Sequence, residues 1–197
     1  MKKSLAYLLA GVALILLPSA PAFSNEDNDD GPPIVRPPRP IGLSARLGGL
    51  PEVPSVSSTG SGQFRATVNA DRTEISWSLG YDNTEGEIFM AHIHFGQQHT
   101  NGGISVWFCG DADSPVPPPA TVPAGLPLCP ASGTLEGTFT AEDVIGPAGQ
   151  GINLGEFEEL ANAILRGAAY VNVHSLKHIP GEIRGQIQVR RFGPNNN

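Results

Sequence analysis

Alternation of apolar and polar residues marks several short segments of the chain and predicts β-strands that bury one face. Residues 62–68 and 74–79 alternate most regularly, and the turn-forming residues between them predict a hairpin. Further strands are predicted at 43–47, 88–94, 104–108, 133–139, 168–174 and 182–189. About eight short strands predict an all-β fold, either a Greek-key barrel or a sandwich.

Helical spacing is confined to short segments. Within residues 155–165, Phe157, Leu160 and Ile164 recur at helical intervals, acidic residues occupy the first turns, and a glycine follows as a stop signal. A capping pattern at 140–143 predicts a second, shorter helix. We therefore expect one or two short helices packed on a β-core, and we assign Trp107 to that core.

The N-terminal segment has the features of an export signal. An apolar run at 5–17 follows a Lys-Lys pair and precedes small residues, which predicts a signal peptide at 1–24 and a periplasmic or secreted protein. An uncleaved anchor is the alternative. Residues 25–40 are acidic and proline-rich and are expected to form an extended linker. The folded domain is predicted at 41–191, followed by a polar tail at 192–197.

Charge and cysteine usage narrow the classes of partner. The net charge of −7 would become −9 with loss of Lys2 and Lys3, so neither nucleic acid nor an anionic membrane is an expected partner. No second apolar stretch is long enough to span a membrane after signal cleavage. Cys109 and Cys129 are expected to form a disulfide in an exported protein, with a reactive thiol pair or metal thiolates as alternatives. The oligomeric state is left open.

All five histidines lie in two short segments. Residues two apart on a strand point to the same side, so His92 and His94 share a face, and His174 ends the polar face of another strand. Imidazole is the commonest metal-binding side chain at neutral pH. The spacing predicts a metal site on the outer face of the β-core, made by these three histidines with His99 as a further ligand. Solvated surface histidines are the alternative, and whether His178 also contributes a ligand is left open.

Four sequence motifs occur in an order characteristic of one family. They are LSARLGG at 43–49 followed by EVP at 52–54, AHIHFG at 91–96, YVNVH at 170–174 and PGEIRGQ at 180–186. With this combination, from residue 43 to residue 188, the chain resembles the chordin-type domain, abbreviated CHRD. The resemblance implies an extracellular domain and specifies no particular activity.

A second resemblance concerns the histidines. Copper-zinc superoxide dismutases are Greek-key barrels with a His-x-His strand, a later histidine at a strand end and an arginine near the C-terminus. In this chain His92, His94, His174 and Arg184 occur in the same order. The resemblance implies a copper site at the three histidines, with Arg184 in the catalytic role of drawing in superoxide. The zinc-ligand run of that family has no counterpart, and its bridging histidine is missing unless His99 substitutes.

The expected chemistry depends on the metal. Copper held by three imidazoles leaves an open position that could take superoxide. Zinc is the alternative, and its bound water would act as a nucleophile with Glu182 as the base. An ordinary ion pair of Glu182 with Arg184 is the simpler interpretation of these two residues. Three functions remain: a secreted copper carrier or store, a copper enzyme acting on superoxide, and a metal-free module that binds a protein or polysaccharide.

Overall fold

Among the described residues, the alternating segments form nine antiparallel strands in one sheet that closes nearly into a barrel. The structure is a computed structural model and describes residues 38–115 and 121–190. The predicted signal peptide, most of the predicted linker and the polar tail lie outside the described residues. The strands are β1 (Ile41–Gly48), β2 (Ser61–Val68), β3 (Ile75–Asp82), β4 (Ile88–Phe95), β5 (Gly103–Gly110), β6 (Gly133–Phe139), β7 (Ala169–Ser175), β8 (Ile183–Gln186) and β9 (Gln188–Val189).

The order of strands in the sheet differs from their order along the chain. Neighbours follow the order β5-β4-β7-β8-β1-β2-β3-β6, and β9 pairs with β1. The predicted hairpin joins β2 to β3, and its turn is held by the Asn69 side chain, whose Oδ1 accepts the Thr73 N–H at 2.8 Å. The crossovers bring β4 beside β7 and β3 beside β6. The all-β prediction is confirmed.

The main core fills the inside of this sheet. Inward-facing residues of the strands, such as Leu43, Phe64 and Val171, are fully buried there. Each side chain of this size contributes about 1.5–3 kcal/mol through burial. The alternation that predicts the strands therefore also identifies the residues that stabilise the barrel.

One α-helix, α1 (Phe157–Leu165), lies among the described residues and adds its apolar stripe to the main core. It ends before Gly167, which has a left-handed φ of 74°. The shorter predicted helix is a single 3₁₀ turn at Ala141–Asp143, and a second such turn lies at Ala148–Gln150. In the described parts of the chain, no helix is both long and apolar enough to cross a membrane.

A second apolar group, the outer cluster, lies on the opposite face of β4 and β5 from the main core. It consists of Phe89, Met90, Ile104 and Trp107, all buried. A register shift between Ile88 and Met90 interrupts the alternation of β4, so two successive side chains leave the main core. Trp107 is a buried core residue, as predicted, and it belongs to this outer cluster.

The last predicted strand is broken. Residues 182–189 form β8 and then β9, with Ile187 between them and still in the main core. The N–H of Ile187 donates to the Ala169 carbonyl at 2.9 Å, and β7 does not extend past that residue. Beyond this point the strand has only β1 beside it, so Val189 is 39% exposed.

The predicted disulfide is confirmed. Cys109 at the end of β5 is bonded to Cys129, with their Cα atoms 5.0 Å apart and a sequence separation of 20. The bond ties the segment that follows β5 back to the barrel. A disulfide of this kind fits an oxidising compartment.

Replacing both cysteines by alanine should lower the free energy of unfolding by about 3 kcal/mol, because the bond restricts a loop of this length in the unfolded chain. Urea denaturation of the oxidised protein and of the Cys109→Ala/Cys129→Ala variant measures the difference. Reduced wild-type protein is the control and should behave like the variant. Equal denaturation midpoints for oxidised protein and variant would contradict the prediction.

Candidate metal centre

The two histidine segments meet because β4 and β7 are neighbours in the sheet. His92 is paired with Asn172, and His94 with Tyr170, so the polar faces of the two strands coincide. One nitrogen from each of His92, His94 and His174 lies within 4.8 Å of the other two. The sequence prediction that these three side chains come together is confirmed.

The cluster is on the outer face of the sheet, as predicted, but it is not open to solvent. His92 is fully buried, and His94 and His174 are 7% and 4% exposed. From strand alternation alone, the polar face that carries the histidines would be expected to contact solvent. Here side chains of the outer cluster and two loops, residues 96–102 after β4 and 176–181 after β7, contact the rings.

Backbone carbonyls fix two of the rings. The Nδ1–H of His94 donates to the Gly102 carbonyl, and that of His174 to the Ile179 carbonyl, each at 2.9 Å. A carbonyl only accepts, so Nδ1 carries the proton in both rings and Nε2 holds a free lone pair. Within the described residues these two Nε2 atoms, and both ring nitrogens of His92, have no hydrogen-bond partner.

Burial keeps the three imidazoles uncharged. It lowers the pKa of His94 to about 3 and that of His174 to about 4. Burial also holds the pKa of His92 well below its usual range, and the positive charges that His174 and His94 would carry lower it further. Neutral imidazole is the form that binds metal ions, so the rings are in the ligating state at neutral pH.

Aromatic rings wall the cluster. Trp107 stands perpendicular to His92 with ring centroids 4.2 Å apart, and Phe89 contacts His174 edge-on at 6.3 Å. Tyr170 stacks on His94 at 4.8 Å with an angle of 5° between the rings. The sequence analysis gave none of these aromatics a role at the site. Tyr170 could have been identified, since it shares the strand face of His174.

Arg184 lies behind the tyrosine and holds the 96–102 loop. Its Cζ is 3.4 Å from the centroid of the Tyr170 ring. Its Nη2 donates to the carbonyls of Thr100 at 2.7 Å and Gln97 at 3.2 Å, and its Nη1 donates to Asn101 at 3.4 Å. Only 2% of the Arg184 surface is exposed. Its catalytic role stays a prediction, and its contacts here are those of a positioning residue.

Glu182 is engaged away from the histidines. Its Oε1 accepts from the Ser58 hydroxyl at 2.7 Å and from the Glu85 N–H at 2.6 Å. Among the described residues no ion pair joins it to Arg184. The sequence suggested two roles for Glu182, an ion pair with Arg184 and a base beside a metal. Its contacts support neither role.

A buried carboxylate, Glu52, accompanies Arg184 instead. It is 6% exposed, and burial raises its pKa to about 7, although the Arg184 charge acts in the opposite direction. A Cβ on Gly181 would lie 2.6 Å from Glu52 Oε1 and 2.7 Å from Asn172 Nδ2, and φ at Gly181 is 141°. Only glycine allows this approach. Glu52 and Gly181 lie outside the strands, so alternation gave no signal for either.

The other two histidines lie outside the cluster. His99 is exposed at the tip of the 96–102 loop, in a left-handed conformation with φ of 65°. His178 lies 3.5 Å from a carboxylate oxygen of Glu85. The structure therefore brings together three of the four predicted ligands and leaves His99 apart from them.

The donor set limits the metals that the cluster suits. Ca²⁺ and Mg²⁺ bind through oxygen ligands, and the cluster presents imidazole nitrogens. Imidazole suits copper and zinc, and three such ligands leave a position open at either metal. Both metals of the sequence prediction fit the residues present.

The family model described as the CHRD domain matches residues 43–187 of the chain. That range contains the three clustered histidines together with Arg184 and Glu52. No curated protein and no solved structure gives a significant match to the chain.

The loop that covers the histidines should loosen when Arg184 is replaced by lysine. Lysine keeps the charge but cannot donate to several carbonyls in one plane, and hydrogen bonds to charged groups contribute about 1.5–3 kcal/mol each. Amide hydrogens of residues 96–102 should exchange at least about tenfold faster, measured by hydrogen–deuterium exchange. Arg46→Lys, at an exposed arginine of β1, is the matched control and should leave the loop unchanged. Equal loop exchange in both variants would contradict the assigned role.

Proposed function

The chain belongs to the CHRD domain family, and on that premise we propose that it is an exported domain that binds copper through His92, His94 and His174. The observation that carries the proposal is the set of unpartnered nitrogens in the buried cluster. A buried polar atom without a partner costs about 1–3 kcal/mol. A neutral imidazole offers one lone pair, so the three rings together present three free lone pairs, which a bound metal ion would take up.

Charge favours copper over zinc. The three clustered ligands are neutral, and the cluster contains no carboxylate that would balance a divalent ion. Burying net charge is costly, and the cost is smaller for a monovalent ion. Copper is stable in proteins as Cu(I) and also exceeds zinc in intrinsic affinity for nitrogen sites as Cu(II).

Carriage or storage of copper fits the closed site better than turnover does. Copper would supply a centre that changes oxidation state and has an open position for a small ligand. The ring nitrogens that would bind the metal are buried, so superoxide could reach that position only if the cover of the site moved. Superoxide could therefore be a substrate only of an opened form of the protein.

Export is the second part of the proposal. The predicted signal peptide is the main reason to propose export. The Cys109–Cys129 disulfide supports export because such bonds persist in oxidising compartments. Outside the cytosol the protein would meet copper without competition from the reduced thiols of the cell interior.

Metal titration of the exported protein, purified without a histidine tag, tests the proposal. Wild-type protein should bind one copper ion per chain. His94→Gln should weaken copper binding by more than about 100-fold, because loss of even an outer partner of a ligand costs about 10- to 100-fold. His99→Gln, at the exposed loop histidine, is the matched control and should retain full affinity.

Three other outcomes of this titration would contradict the proposal. Zinc bound more tightly than copper would point to a zinc centre with metal-bound water chemistry. Loss of affinity in His99→Gln would restore that residue as a ligand. No metal bound by wild-type protein would make the metal-free module for a protein or polysaccharide the leading function.

A further inference from the structure

Met90 lies in the same row of side chains as the histidines. It stands two residues before His92 on β4, and residues two apart on a strand share a face. Its neighbours Ala91 and Ile93 belong to the main core, whereas Met90 belongs to the outer cluster. The side chain therefore points to the outer face, where the histidines lie.

The register of β4 against β7 places Met90 beside a second histidine. Met90 is directly paired with His174 across the two strands. Side chains directly opposite each other in an antiparallel pair have Cβ atoms about 4.5–5.5 Å apart. Met90 is thus flanked by His92 along its own strand and by His174 across the sheet.

Within the outer cluster, the Met90 thioether is buried among side chains that contain no metal-binding atom. Met90 is 3% exposed, and its companions in the outer cluster are Phe89, Ile104 and Trp107. None of these three offers a lone pair to a metal: an indole N–H is a donor only. Among the four residues of the outer cluster, Met90 alone has an atom that can bind a metal.

We propose that Met90 supplies a thioether sulfur to the metal held by the three histidines and so makes the site selective for Cu(I). Thioether is a soft ligand that selects Cu(I), whereas zinc sites are built from thiolate, imidazole and carboxylate. A neutral fourth ligand also suits a monovalent ion in a cluster without carboxylates. This inference rests on the proposed copper-binding function and adds a ligand and a metal preference to it.

Selenium labelling tests the contact directly. The chain has two methionines, Met1 and Met90, and Met1 precedes the predicted signal peptide cleavage. Selenomethionine-labelled exported protein, loaded with Cu(I), should show a selenium–copper scattering path in X-ray absorption at the selenium edge. The labelled Met90→Leu variant is the blank and should lack this path.

Affinity measurements on the same proteins test selectivity. Met90→Leu conserves volume, and such exchanges are well tolerated in cores. It should weaken Cu(I) binding by about tenfold or more and leave Zn²⁺ binding unchanged, measured by competition with chromogenic chelators. Ile104→Leu is the packing control, since it alters the same layer without removing a sulfur, and it should leave the ratio of Cu(I) to Zn²⁺ affinity unchanged.

The outcomes separate this inference from the function on which it rests. Copper bound in a His94-dependent way, with no selenium–copper path and no loss of Cu(I) affinity in Met90→Leu, would overturn the role of Met90 and leave the three-histidine site in place. Wild-type protein that binds no copper would overturn both. A similar loss of Cu(I) selectivity in Ile104→Leu would assign the effect to packing and overturn the sulfur ligand.

Discussion

Burial of three uncharged imidazoles is the constraint from which the architecture around the outer face of the barrel follows. A buried ring nitrogen needs a partner, and two of the rings take a backbone carbonyl from a loop. A carbonyl fixes a ring only if its own loop is fixed. The loops after β4 and β7 must therefore be as well ordered as the strands that carry the histidines.

Arg184 and Tyr170 meet this requirement for the 96–102 loop. The tyrosine stacks on His94 and accepts the Gly102 N–H at 3.2 Å, so it contacts both the ring and the residue whose carbonyl holds that ring. The Arg184 guanidinium packs on the Tyr170 ring and donates to the Thr100 carbonyl of the same loop. A cation over an aromatic ring contributes up to about 2 kcal/mol when it is desolvated. Glu52 is buried nearby, and the Arg184 charge lowers its pKa against the larger effect of burial.

The strands and the histidine row could be predicted because both rest on the two-residue period of a strand. His92 and His94 lie on one face for the same reason that Ile93 lies on the other. Burial of that face could not be predicted in full, because part of its cover comes from loops, and a loop such as 96–102 has no regular period in its sequence. The register shift that turns Phe89 outward and the close approach at Gly181 are likewise local departures from alternation. Arg184 was predicted on the correct face, but its partners are carbonyls brought in by that same loop.

The central claim is that the three histidines hold one metal ion, and X-ray diffraction at the copper absorption edge tests it most directly. Crystals of the exported protein, grown with copper and without a histidine tag, should show a single anomalous peak among His92, His94 and His174. A peak only at the exposed His99, or no peak at the buried cluster, would contradict the account.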